Sequence, residues 1–147
     1  MTQTRIYLPL TPADVADLAR SGEVSPSSAY AVTPALRSDL PAGDEEEREY
    51  VAMGEAIVAA GELRDSGAGS PSAQGGGRRV VAAADVDTVA VLVTPVRPGE
   101  ARSLVALEGP VPLRRVVSFH VDEEPGGDDD LLWYDVTELD EVARLLG

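Results

Sequence analysis

The chain opens on a period of two. From Arg5 to Leu10 the apolar residues Ile6, Leu8 and Leu10 alternate with Arg5, Tyr7 and Pro9, so a first strand is expected with its aliphatic side chains on one face. Pro9 has no N–H for a ladder and places the end of that strand near an edge. The period then lengthens to that of a helix. Thr11-Pro12 followed by Asp14 is a capping-box start, Val15, Leu18 and Ala19 make an inward stripe, and Gly22 ends the turn. A short strand over Ala29–Val32 is followed by a second Thr-Pro start, Thr33-Pro34, which predicts a helix to about Leu40 that buries Leu36 and Leu40. A longer helix is expected from about Asp44 to Arg64. Its first acids, Asp44–Glu47, suit a positive N-terminus, and Tyr50, Met53, Ile57 and Ala60 follow helical spacing. Gly54 and Gly61 share a similar face, where the missing side chains let this helix lie close to a sheet.

The second half returns to strands. Arg78–Val86 and Thr88–Val93 are apolar runs separated by Asp85-Val86-Asp87, and residues 95–101 read as a loop. The stretch 103–121 reads as two strands, Leu104–Leu107 and Val116–Val121, joined by a turn at Gly109, Pro110 and Pro112. On the second of these Val117, Phe119 and Val121 share one face, and Val116, Ser118 and His120 the other, as in a half-covered antiparallel sheet. Leu131–Val136 is a further strand or extended segment, with Trp133 and Tyr134 as core anchors or, in the sharper reading, a binding hot spot. Thr137 caps a closing helix that has Asp140 at the capping-box position and Leu139, Val142 and Leu146 inward. Helices early, strands late and one closing helix make an α+β fold, a single domain over 1–147 with a largely antiparallel, split sheet of about five to seven strands.

Two segments lack a pattern. Residues 65–77 are Gly- and Ser-rich with nothing to bury, a flexible loop whose glycine spacing does not match a nucleotide-binding loop. Residues 122–130 are an acidic loop without the alternating ligands and central glycine of a calcium site.

Composition narrows the chemistry. The hydrophobic share of 44% suffices for a core, but with aromatics at 4% that core rests on Val, Leu and Ala. With no cysteine and one histidine, thiol chemistry and His/Cys metal clusters are closed. All 12 basic residues are arginine, so lysine Schiff bases and P-loop lysines are closed as well. A net charge of −14 repels nucleic-acid phosphates. No apolar run approaches the roughly 20 residues of a bilayer span, and no signal-peptide core opens the chain; a cytoplasmic location with no membrane partner is expected.

The segments Arg5–Thr11, Ala29–Arg37, Glu45–Tyr50, Arg79–Val86 and Leu132–Leu139 resemble a family of actinobacterial proteins of unknown function over nearly the whole chain. A second resemblance rests on Ile6-Tyr7, Gly22-Glu23, Thr33-Pro34 and Gly109-Pro110-Val111-Pro112-Leu113. These are similar to a small bacterial domain family of ADP-ribosyltransferase-like fold. That wider fold implies a cleft for a nicotinamide dinucleotide, held by a first-strand histidine or arginine and a later hydroxyl residue, with a glutamate acting near the end. Here Leu8 stands at the histidine position, Thr33 matches the hydroxyl, and Glu108 lies beside the Gly-Pro, where the small family has tyrosine.

The ligand-binding candidates are therefore Tyr7, Tyr30, Thr33 and Glu108, with no catalytic or metal-binding residue. Two of these have a plainer role, since Thr33 caps a helix and Glu108 ends a strand; His120 is expected as a strand residue that faces solvent or a neighbouring carboxylate, with a sensor or catalyst as the sharper reading. The reading is a non-catalytic domain, more a binder than an enzyme, with no cofactor, that binds a protein or small ligand on a degenerate ADP-ribosyltransferase-like fold. The alternative is an enzyme or sensor that binds NAD or ADP-ribose, with Tyr7 or Tyr30 stacking on a ring. A weaker third reading is an acidic adaptor that meets a basic protein through residues 122–130.

Overall fold

The computed structural model describes residues 2–68 and 77–147. Most of the expected loop at 65–77 lies outside the described residues. The elements run β1 (Gln3–Leu10), α1 (Pro12–Ser21), β2 (Glu23–Val24), β3 (Ala29–Ala31), α2 (Pro34–Asp39), α3 (Glu45–Leu63), β4 (Val80–Asp87), β5 (Val91–Leu92), β6 (Leu104–Leu107), β7 (Val111–Pro112), β8 (Val116–Val121), β9 (Leu132–Asp135) and α4 (Leu139–Leu146). Seven strands form one sheet in the order β5-β6-β3-β1-β4-β8-β9, and β2 pairs with β7 in a separate two-stranded sheet. Every pairing is antiparallel. The fold is α+β, with helices early and one at the C-terminus. No helix among the described residues is long and apolar enough to cross a membrane.

β1 is the central strand, and both of its faces are covered. Ile6, Leu8 and Leu10 pack with Val15 and Leu18 of α1, Phe119 and Val121 of β8, and Leu139 and Val142 of α4. Tyr7, on the opposite face, packs with Val81, Ala83, Tyr30 and the alanines of α3. The alternation of β1 therefore separates two cores instead of a core from water, which is why an entirely buried run ends the strand. Pro9 is tolerated there for a local reason. The bond from the Thr88 N–H to the Thr2 carbonyl fixes which β1 groups face β4 and turns the nitrogen of Pro9 toward β3, which runs only from Ala29 to Ala31 and leaves no pairing at that height.

The capping residues behave as their sequence predicts in α1 and α2. Thr11 and Asp14 make a reciprocal capping box, Gly22 takes the left-handed conformation at φ 79°, and Thr33 accepts the Leu36 N–H. At the C-terminus the box sits two residues earlier than expected. Asp135 and Glu138 form it around a 3-10 turn at Val136–Glu138, and Thr137 donates its hydroxyl to Asp135. The buried stripe of α1 is Val15 and Leu18, while Ala19 is exposed.

Five expectations are corrected. The residues of 103–121 do not form a hairpin: β6 pairs with β3 and β5, β8 pairs with β4 and β9, and three strands stand between them. The turn residues are diverted instead into β7, where Val111 and Pro112 pair with Val24 and Glu23. The inward stripe of α3 is Ala52, Ala56 and Ala60, while Tyr50 is 80% exposed. Gly54 faces open space, so only Gly61, whose added Cβ would lie 3.6 Å from the Arg79 side chain, meets a neighbour. On β8 a bulge at Ala83/Ala84 of β4 shifts the register, so Val116 joins Phe119 and Val121 in the core and Val117 is exposed. Thr88–Val93 is mostly not a strand: Thr88–Ala90 is a 3-10 turn, which leaves β5 two residues.

Candidate functional site

The four candidate residues do not converge. Tyr7 and Tyr30 are register partners on β1 and β3 and lie buried beneath α3. Burial, with Glu49 adding to it, pushes the Tyr7 phenol up to about 12, against the opposing pull of Arg5. Thr33 is buried, and its hydroxyl is fully used: it accepts the Leu36 N–H at 3.1 Å and donates to the Arg102 carbonyl at 2.6 Å. Glu108 is exposed beyond the end of β6, where its N–H donates to the Ala90 carbonyl.

Tyr30 nevertheless lines a cleft, and Thr33 anchors the segment that forms its wall without reaching it. The segment 101–104 is pinned against β3 and α3 by a run of bonds. The Ala31 N–H donates to the Ser103 carbonyl at 2.9 Å, and Thr33 holds Arg102 from below. Glu55 of α3 accepts both the Ser103 N–H at 3.1 Å and the Ser103 hydroxyl at 2.6 Å through Oε1. The wall so fixed faces Glu55, Val58, Ala59 and Glu62, which recur at helical spacing along one face of α3. Between them, together with Gly99, Glu100, Ala101, Leu104 and Tyr30, lies a cleft of about 460 Å³, within the size range of small-ligand sites.

The floor of the cleft is the informative part. Tyr30 is 7% exposed, and its hydroxyl has no hydrogen-bond partner among the described residues. The one side-chain polar atom both sealed from solvent and unpaired among the described residues is Arg78 Nε, so the Tyr30 hydroxyl keeps contact with solvent, and Tyr30 is among the residues that line the cleft. A phenol in that position offers a ligand one donor and one acceptor.

Two other places hold polar groups. A second cavity of about 450 Å³ is lined by Ser25–Ala29, Thr94, Leu104–Leu107, Gly109 and Pro110, and it adjoins Glu108 without including it. On the α3 side of the sheet, beyond the helix, Arg5 pairs with Asp85 at 2.6 Å, and His120 Nε2 lies 3.1 Å from the Ser118 hydroxyl. Burial, and then the charge of Arg5, lower the His120 pKa, so the ring is neutral at physiological pH. Its cross-strand neighbour Trp133 is 61% exposed and not the core anchor expected of it; Tyr134, the next residue, turns toward the α4 core instead.

The acidic 122–130 segment is also more organised than a solvated loop. Asp122 is buried and bonded by Arg79, through its N–H at 2.6 Å and its guanidinium at 2.7 Å, and by Arg64 at 3.3 Å. Arg64 and Arg79 also bond the carbonyls of Gly127 and Asp129. Among the described residues no group of three His, Cys, Asp or Glu stands close enough to hold a metal ion.

Sequence reasoning missed Glu55, Glu62 and Glu100, because exposed-looking acids on a helix and in a loop carry no motif. The available signal was the recurrence of 55, 58, 59 and 62 on one helical face.

Residues 4–129 match the model of a family of unknown function, DUF6912, and the chain belongs to that family. No curated protein and no solved structure shows significant similarity to it.

Proposed function

We propose that the chain is a non-catalytic binding domain whose ligand is a small molecule held in the cleft between α3 and residues 99–104. The observation that carries this reading is Tyr30, a nearly buried residue lining a cleft of ligand size, whose hydroxyl keeps contact with solvent and has no hydrogen-bond partner among the described residues. With no ligand bound, water meets that hydroxyl, so a ligand that displaces the water keeps its affinity only by bonding the hydroxyl in its place. The absence of catalysis is supported by the lining itself. Its hydroxyl-bearing residue is Tyr30; Ser103, next to the lining but not in it, is fully buried with its proton committed to Glu55, and Glu108 lies elsewhere. The same reading takes the protein as cytoplasmic and without nucleic-acid or membrane partners, in keeping with its charge of −14.

A second reading, an NAD- or ADP-ribose-binding domain of ADP-ribosyltransferase-like fold, draws on the other cavity. There three serines and Thr94 meet Gly109-Pro110 with no carboxylate among the described residues of the lining. A diphosphate tolerates that lining better than it would the glutamates of the α3 cleft.

Thermal unfolding against NAD, ADP-ribose, amines and neutral polyols distinguishes the two. A ligand at about 100 times its Kd adds roughly 2.7 kcal/mol, a rise of about 5–10 °C in Tm. The expected result is a shift that is lost in Ala101→Trp, which fills the α3 cleft, and kept in Ser27→Trp. A shift lost only in Ser27→Trp, or no shift with any compound, overturns the first reading.

A further inference from the structure

Resting on the reading of the α3 cleft as a small-ligand site, we infer that its ligand is an aliphatic polyamine. Among the described residues the lining holds three carboxylates, Glu55, Glu62 and Glu100, and no basic side chain. Two of them are oriented by the protein through one oxygen each: Glu55 Oε1 takes Ser103, and Glu100 Oε1 accepts the Arg97 N–H at 2.8 Å. Their second oxygens have no hydrogen-bond partner among the described residues. Arg102, close enough to Glu55 to feel its charge, is held away by a two-pronged pair with Asp39 at 2.8 and 3.1 Å.

Like charges gathered around one cavity repel one another, and a bound cation relieves that repulsion. A compact metal ion does not suit the arrangement, since these carboxylates do not come together in a metal-binding group. Charges spaced along a chain do. The apolar surfaces of Val58, Ala59, Ala101 and Leu104 lie between the acids and suit methylene segments. The Tyr30 hydroxyl at the floor accepts one ammonium N–H, and the free glutamate oxygens accept others, as charge-assisted bonds. A neutral ligand would satisfy Tyr30 but leave the carboxylates unpaired, and an anion would be rejected.

Isothermal titration calorimetry with spermidine tests this, using the full chain and matched charge controls. Binding is expected at one site per chain, weakened roughly tenfold or more in Glu62→Gln/Glu100→Gln and about threefold to tenfold in Tyr30→Phe, which removes only the hydroxyl. Glu123→Gln/Glu124→Gln removes the same charge from the exposed acidic segment and should change the affinity less than about twofold. Equal weakening by both double variants would show attraction to the protein's overall charge and overturn the inference. No binding of spermidine, alongside a neutral or anionic compound whose Tm shift is lost in Ala101→Trp, would overturn the polyamine and leave the cleft standing. No compound acting through the cleft would remove both.

Discussion

Asp122 shows how one carboxylate in an acidic chain can be structural. It closes the end of β8 by accepting from the backbone and guanidinium of Arg79 and from Arg64, all within a buried site. Removing one partner of a buried ion pair leaves the other unpaired, so Asp122→Ala should cost about 3 kcal/mol or more, read as a lowered urea midpoint. Asp130→Ala, on an exposed side chain of the same segment, should lie within about 0.5 kcal/mol of wild type. Nothing in the run of acids from 122 onward distinguishes Asp122, because its difference lies in two arginines that are distant in sequence. His120 offers a second test at this scale. Its folded pKa is lowered by burial and by Arg5, so the unfolded chain binds the proton more readily. Stability from the neutral ring is thus complete above the unfolded value of about 6.5 and is lost as pH falls through the lower folded value. Unfolding of wild type and His120→Gln across pH 5–8 should show the wild type losing stability relative to the variant below about pH 6.5. A parallel course would show the ring to be unperturbed.

At the scale of the element, α3 turns small residues to the sheet and large ones outward. Ala52, Ala56 and Ala60 let the helix settle on Tyr7 and Tyr30, and the tyrosines supply the bulk that a valine-and-leucine sequence lacks elsewhere. Ala56→Leu should therefore overpack this interface at a cost of about 1–3 kcal/mol, while Gly54→Ala, on the open outer face, should stabilise by about 0.5–1 kcal/mol. Differential scanning calorimetry of the two variants checks both signs. The helix was legible in the sequence, but its facing was not: Tyr50, Met53 and Ile57 carry far more apolar surface than alanine, and only the tyrosines on the opposing strands require alanine there. The bulge opposite Ala83 and Ala84 misled in the same way, since one extra residue exchanges Val116 for Val117 without altering the alternating pattern.

For the whole molecule, the inventory of elements was readable and the neighbours were not. Alternation tells which face of a strand is apolar, and the Gly-Pro-Val-Pro turn fits a hairpin, but neither says that β6 belongs beside β3 and β8 beside β4. Of the candidate site, Tyr30 and Thr33 were visible, whereas the acidic wall depends on a packing of α3 against 99–104 that no local pattern encodes. Because β1 pairs across its full length with β4, most sheet contacts join distant parts of the chain, and refolding by stopped flow should fall in the millisecond-to-second range of such topologies, not in microseconds. The central position of β1 also bears on how the chain is made. Its partner β4 follows after roughly 70 residues, an interval of about 4–14 s at ordinary rates of synthesis. Throughout that interval Ile6, Leu8 and Leu10 have only α1 and the three-residue β3 to cover them, so the growing chain carries an apolar strand whose longer edge stays open until β4 has emerged.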